Sequence, residues 1–188
     1  MATSILYPNG DGTKGGWAEF APTPGNTTNI YTDIDEGTDS PNDSDAISNN
    51  TASNSGYFLL TDTPADVSVV TAVTVKTRGY QTSSKGSPIT QYIVQIVQSD
   101  ESTALTDTAT ITPSTTITTS SSTLNITGLT TKTAWDGARL KITTGAGSSG
   151  AIAIHAAQVH ITYTATGGSG GGSVNNQKSI TMVWAKYE

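Results

Sequence analysis

Cysteine is absent from the 188 residues. That removes disulfide scaffolds, thiolate nucleophiles and the usual structural zinc sites together. Charge is scarce as well: charged residues make up 13% of the chain, about half the ordinary share. The formal net charge of −6 leaves no basic field for a polyanion, so a nucleic-acid partner is not expected. No window reaches the roughly 18 consecutive apolar residues of a membrane-spanning helix, so no membrane partner is expected either. Helical periodicity is missing at useful length. What remains is a chain of threonine, serine and glycine punctuated by short apolar segments, the composition of an all-β protein.

Period-two alternation recurs from Tyr57 onward. Val67, Val69, Val73 and Val75 alternate with Ser68, Thr74, Lys76 and Arg78, predicting a long strand over a core from Val67 to Arg78. Ile89 to Gln98 is apolar on both faces, as in a central strand or one covered by a partner. Between them, Gly79 to Pro88 reads as an exposed hairpin loop. Further strands are expected over Thr108–Thr112, Thr123–Thr127 and Ala138–Thr143, with Leu124, Ile126, Leu140 and Ile142 inward. In Ala151–Ala165 the apolar parity changes between Ile154 and Val159, and a bulge near Ala156-Ala157 repairs it. Toward the N-terminus, Ile5 and Leu6 suit a first strand, while Thr32–Ser55 reads as a polar surface loop. Eight or more short strands without a helix predict an antiparallel β-sandwich of jelly-roll type. An immunoglobulin-like sandwich fits less well, given the length and the irregular N-terminal segment.

Residues 1–166 are expected to form this sandwich, followed by a Gly/Ser-rich linker at 167–176 and a strand-like segment at 177–188. A Gly/Ser run is a flexible coil, so the apolar segment behind it is a strand on a tether. It either completes its own sheet, pairs with the edge of another subunit, or is an appended peptide. In an assembly arm Ile180, Met182 and Trp184 share one face, with Trp184 as anchor.

The chemistry-bearing residues are few. The acidic stretch Asp33 to Asp45 offers Asp33, Asp35, Asp39 and Asp43 as calcium-ligand candidates around Gly37. Its spacing does not match an EF-hand loop, and Asp/Asn-rich turns cap their own backbone without a metal; calcium is the one cofactor entertained. His155 and His160 are too far apart along a strand, about 16 Å, to share an ion. No nucleophile elbow, phosphate loop or histidine–carboxylate pairing appears, so no enzyme is expected. The three Asn-x-Ser/Thr sequons are what chance gives in such a composition. Trp17, Tyr80, Trp135 and Tyr163 are candidates for a sugar-stacking platform, though for Trp135, before the Asp136-Gly137 turn, a cap on one end of the core is the preferred reading, because burying an aromatic is worth so much.

Three segments carry a resemblance: Ile5-Leu6-Tyr7-Pro8-Asn9-Gly10-Asp11-Gly12 on to Trp17; Tyr31-Thr32-Asp33-Ile34-Asp35-Glu36-Gly37 on to Ser40-Pro41-Asn42-Asp43; and Thr133-Ala134-Trp135-Asp136-Gly137-Ala138-Arg139-Leu140. Over about residues 1 to 166 the chain resembles jelly-roll surface proteins of tailed bacteriophage virions, of the head-decoration, head-fibre or tail-appendage kind. The resemblance implies a non-enzymatic structural protein on the virion surface, trimeric or otherwise symmetric, that docks on other virion subunits and meets host glycans. The stretch Met1-Ala2-Thr3-Ser4-Ile5 lacks the basic start and apolar core of a signal peptide, which fits synthesis in a host cytoplasm. Two other readings stay open: a carbohydrate-binding adhesin module, and an extracellular filament subunit joined by strand donation.

Overall fold

The computed structural model describes residues 1–82 and 86–166. Its strands in chain order are β1 (Ala2–Leu6), β2 (Pro8–Asp11), β3 (Ala18–Ala21), β4 (Ala46–Asn49), β5 (Ser55–Leu60), β6 (Val67–Gln81), β7 (Tyr92–Val97), β8 (Ala109–Ile111), β9 (Thr118–Leu124), β10 (Arg139–Thr144) and β11 (Ile152–Ala165). One helical turn, α1 (Lys132–Trp135), and a 3-10 turn, Ile30–Asp33, interrupt them. Alternation sets the two faces: in β5 and β10 every second residue is buried and those between are half-exposed.

The strand order identifies the architecture. One sheet runs β3-β4-β11-β6-β9 with β1 also on β11, and the other runs β2-β5-β10-β7-β8. Between β4 and β11, consecutive strands change sheet at every step except β7 to β8, and all named pairs are antiparallel. Four-stranded sheets ordered β4-β11-β6-β9 and β5-β10-β7-β8 are the two Greek keys of a jelly roll. The first three strands then extend it: β2 lies beside β5, β3 beside β4, and β1 beside β11. The sequence-based fold class is therefore the observed one.

Phe58, Tyr92, Val94, Ile96, Leu140 and Ile142 from one sheet meet Val70, Val73, Val75, Ile154, Val159 and Ile161 from the other. Each such side chain, fully buried, contributes roughly 1.5–3 kcal/mol. Trp17 and Trp135 are both wholly enclosed. A buried polar contact joins the layers, the hydroxyl pair of Thr77 Oγ1 and Tyr92 Oη at 2.5 Å. Burial pushes the Tyr92 hydroxyl up to about 12, so it stays protonated and satisfies its partner.

Several expectations change. Val69 does not share the inward face with Val67: the ladder to β11 slips beside Thr71 and again beside Ser68, so Val70 turns inward and Val69 is 37% exposed. The residues after Gly79 are not a hairpin loop, because β6 extends to Gln81 and β7 belongs to the other sheet. The strand expected over Thr123–Thr127 lies earlier, at Thr118–Leu124; its many serines and threonines hid it, since an edge strand needs few apolar residues. The bulge in β11 falls at His155, between Ile154 and Ala156, next to the position its parity required. The linker and the 177–188 segment, with Ile180, Met182 and Trp184, lie outside the described residues.

Thr32–Ser55 departs most from expectation. Instead of a surface loop it contains β4, and it carries Ile34 into the core alongside Ile30. The physical reason is a gap. Along one side β11 pairs with β4 over Ile152–Ile154 and with β1 over Val159–Tyr163. Between them the Ala157 N–H donates instead to the Ile34 carbonyl at 2.9 Å. The acidic segment then passes across the outer face of β11, and Ala153, His155, Ala156 and Gln158 are buried there although they point away from the sandwich core.

Candidate functional site

The two sheets present their outer faces differently. Over β11 the roof is made by residues 34–45, held by local polar contacts. The Thr38 N–H donates to Gln158 Oε1 at 2.9 Å. The Arg78 guanidinium donates twice to the Asp43 carboxylate, at 2.7 and 2.5 Å, which holds Asp43 below the usual carboxylate range. His155, stacked on Tyr80 with ring centroids 5.7 Å apart, places Nδ1 2.8 Å from the Asp45 carbonyl. A carbonyl only accepts, so Nδ1 carries the proton and Nε2 is left bare, buried and without a partner. Burial accordingly lowers the His155 pKa. Gly37 adopts φ +76°, and a β-carbon there would fall 2.5 Å from Gln158 Oε1, so glycine is what lets the roof settle on the strand.

The calcium candidates do not come together. Asp33 is buried, Asp35 half-buried, Asp39 exposed, and Asp43 is taken by Arg78. Among the described residues no three His, Cys, Asp or Glu side chains are grouped to hold a metal ion. Asp33 faces other carboxylates: burial first, then Glu19, Asp45, Glu36 and Asp11, push its pKa up to about 7. One of its oxygens, Oδ2, has no hydrogen-bond partner. A carboxyl that holds its proton up to near-neutral pH is what a covered interior position does to it.

The sugar-platform candidates are redistributed too. Trp135 is wholly buried, with Nε1 donating to the Leu129 carbonyl at 3.0 Å; it caps the core and offers no surface. Trp17 and Tyr163 are buried, and Tyr80 is half-covered against His155.

An aromatic does face outward on the opposite sheet, where the sequence reading singled out nothing. On the outer side of β2-β5-β10-β7-β8, Tyr57 lies directly opposite Lys141, and Lys141 opposite Gln95. The three form a row across neighbouring strands about 4.8 Å apart. All three are half-exposed. The Lys141 ammonium sits 5.6 Å from the Tyr57 ring centroid, a cation–π distance. Gln95 Nε2 donates to the Thr106 carbonyl at 3.1 Å, which fixes the amide. Next along the face, Ser55 and Thr143 join hydroxyls at 2.8 Å. Toward the other end the Arg139 guanidinium bonds Glu101, which also accepts from the Thr13 N–H at 3.0 Å. Burial pushes Glu101 up, but the hydrogen bonds from Thr13 and the Arg139 cation outweigh it and leave the carboxylate below its usual range. Gly12 permits that closure: a β-carbon there would fall 2.4 Å from both Arg139 Nη1 and Glu101 Oε1. The face is thus bounded at one end by a charge-paired clasp and open over Tyr57, Lys141 and Gln95.

Alternation alone puts Tyr57 and Lys141 on the outward side of their strands, since Phe58 and Leu140 point in. That these strands are neighbours is set by the Greek key, which no local signal encodes.

A second opening lies at the edge of the other sheet. A cavity of about 320 Å³ is lined by Gly16, Phe20, Pro24, Ser48 and Asn50, among others. Phe20 is 39% exposed. Glu19 is buried in its wall, but its oxygens accept from the Thr23 N–H and from Asn26 Nδ2, each at 2.7 Å. They hold the loop and are not turned to a ligand.

No protein-family model matches the chain, and no curated protein matches it. Among solved structures it is similar to an arabinose-bound α-L-arabinofuranosidase at 14% identity and TM-score 0.42, covering 78% of this chain and 23% of that one. It is similar to the CBM36-1 domain of a multidomain xylanase from the hindgut metagenome of Trinervitermes trinervoides at 9% identity and TM-score 0.41, covering 87% and 98%. It is similar also to the enzymatically active domain of bacteriophage CBA120 tailspike protein 4, at 13% identity and TM-score 0.42, covering 86% and 19%. The chain therefore spans about a fifth to a quarter of the arabinofuranosidase and tailspike chains. The jelly-roll assignment itself rests on the strand order described above.

Proposed function

We propose that this jelly roll is a saccharide-binding module that takes its ligand on the outer face of the β2-β5-β10-β7-β8 sheet. The observation that carries the reading is the in-register row of Tyr57, Lys141 and Gln95, half-exposed on three adjoining strands. A pyranose ring has an apolar face of C–H groups and an equatorial rim of hydroxyls. An aromatic ring with an ammonium beside it and an amide on the next strand beyond, on a rigid sheet, complements both. Side chains held by strands rather than loops are pre-ordered, which reduces the entropy lost on binding. The test is a saccharide array probed with the full chain, beside Tyr57→Ala. Selective binding that Tyr57→Ala abolishes is expected; binding untouched by that change, or none at all, counts against the reading.

A second reading, assembly into a homo-oligomer on a virion surface, has one specific observation in its favour. Leu129 is 59% exposed and Val69 37%. Their segments are joined by the Val70 N–H donating to the Thr130 carbonyl at 2.9 Å, and the pair lies beside Thr164, close to the end of β11. Two neighbouring exposed aliphatic side chains suit a contact with another subunit. Under this reading Leu129→Glu lowers the mass of the full chain in light scattering; an unchanged mass removes it.

A further inference from the structure

We infer that the saccharide taken on this face is an anionic one, and that Lys141 selects it by meeting a ligand carboxylate; this rests on the saccharide-binding reading above. The basis is the charge balance of the surface. Among the described residues, Lys14 pairs with Asp11, Arg78 with Asp43, Lys132 with Asp136 and Arg139 with Glu101. Two described basic side chains have no carboxylate partner, Lys76 on the β3-β4-β11-β6-β9 sheet and Lys141, and of these Lys141 stands on β10, the middle strand of its own sheet, beside the Tyr57 ring. Its cross-strand neighbours Tyr57 and Gln95 are both neutral. Glu101, at one end of this face, is already engaged by Arg139 and the Thr13 N–H, so it does not neutralise Lys141.

An uncompensated ammonium at the centre of a half-buried face, in a chain of net charge −6, is where an incoming anion is held most strongly. The aromatic ring beneath it excludes water from one side, and a ligand ring laid over Tyr57 excludes it from another, so the effective dielectric falls as the ligand arrives. A carboxylate then gains a charge-assisted hydrogen bond, about twice as strong as a neutral one. A neutral hydroxyl in the same place leaves the ammonium partly desolvated and poorly paired. Uronic and other carboxylated sugars carry both parts of the match on one ring. Phosphorylated or sulfated saccharides offer an anion as well, but a planar carboxylate fits a single ammonium beside an amide without a second cation. Among the described residues the only other basic group on this face, Arg139, is already paired.

The experiment is a panel of saccharides printed as matched sets: uronate oligomers, their methyl esters, sulfated counterparts and neutral oligomers. It is probed with the full chain, with Lys141→Gln and with Lys141→Arg, each first checked for an unchanged unfolding midpoint. Hits are then titrated at 50 mM and 500 mM salt. The expected result is at least 10-fold tighter binding of uronates than of their methyl esters, lost in Lys141→Gln, retained in Lys141→Arg, and weakened by salt. Equal binding of acid and ester, a preference for sulfated forms, or a preference that survives Lys141→Gln overturns the inference while leaving saccharide binding in place. Absence of binding to every member, with Tyr57→Ala indistinguishable from the parent, removes both.

Discussion

The outer faces of the two sheets began with the same kind of surface, polar side chains alternating with a buried row, and the fold treats them in opposite ways. Over β11 the chain roofs its own sheet with residues 34–45, and polar groups there are turned to internal use: Gln158 accepts from Thr38, His155 donates to Asp45, and Arg78 holds Asp43. Over β10, among the described residues, Tyr57, Lys141 and Gln95 remain half-exposed. The same polar residues are therefore structure on one side and a recognition surface on the other. What separates them is whether a neighbouring segment of chain has already satisfied their hydrogen bonds.

The largest expected effect comes from removing the roof's anchor. Ile34→Ala leaves a cavity at the break between β1 and β4 and lowers stability by about 2–5 kcal/mol, read from the midpoint of urea unfolding. A smaller loss implies that the segment rests on β11 without being needed by the core. Next, on the open face, Tyr57→Ala should weaken saccharide binding by at least about 10-fold, or 1.4 kcal/mol, by titration calorimetry. Its effect on stability should be smaller than that of Ile34→Ala, because the ring is half-exposed already. Phe20→Ala, at the edge cavity, leaves that affinity unchanged; a loss there moves the binding site from the sheet face to the cavity.

The roof also carries the pH dependence. Asp33, raised to about 7 in the fold from 3.8, keeps a proton that the unfolded chain releases, so its contribution falls as pH rises from about 4 to about 7. His155 is depressed below 6.5. The unfolded chain takes up a proton there more readily, and stability is lost as pH falls below about 6.5. The two slopes oppose each other, so the parent profile is shallow across the acid range. Asp33→Asn removes one of them: at pH 8 its melting temperature should rise by a few degrees, at about 2–4 °C per kcal/mol, and from pH 5 to 6.5 its stability should climb with pH. A profile parallel to the parent's would show that Asp33 is ionised at neutral pH. The smallest effect belongs to the exposed rim: Asp43→Asn, which breaks the pair with Arg78, costs roughly 0.2–1 kcal/mol, and less in high salt.

Legibility in the sequence followed the local periods. The alternation in Ala138–Thr143 and the parity change in Ala151–Ala165 were readable, because a strand with one buried face must alternate. The β9 strand was not, since an exposed edge of serine and threonine carries no apolar signature. The roof was misread for a related reason: a single isoleucine, Ile34, docks it, and one apolar residue among aspartates makes no pattern. For Trp135 the core cap was already the favoured reading, since aromatic burial is worth so much, and the packing encloses it.

The sequence by itself determined a cysteine-free, helix-poor chain of alternating strands whose low charge and long threonine-rich segments fit a β-sandwich, because period and composition act through neighbours a few residues apart. Only the tertiary structure decided that Tyr57 and Lys141 face each other, that the acidic carboxylates scatter rather than converge, and which face is roofed. Those outcomes depend on which strands the Greek key brings side by side, and contacts between residues far apart in the chain leave no imprint on either segment alone.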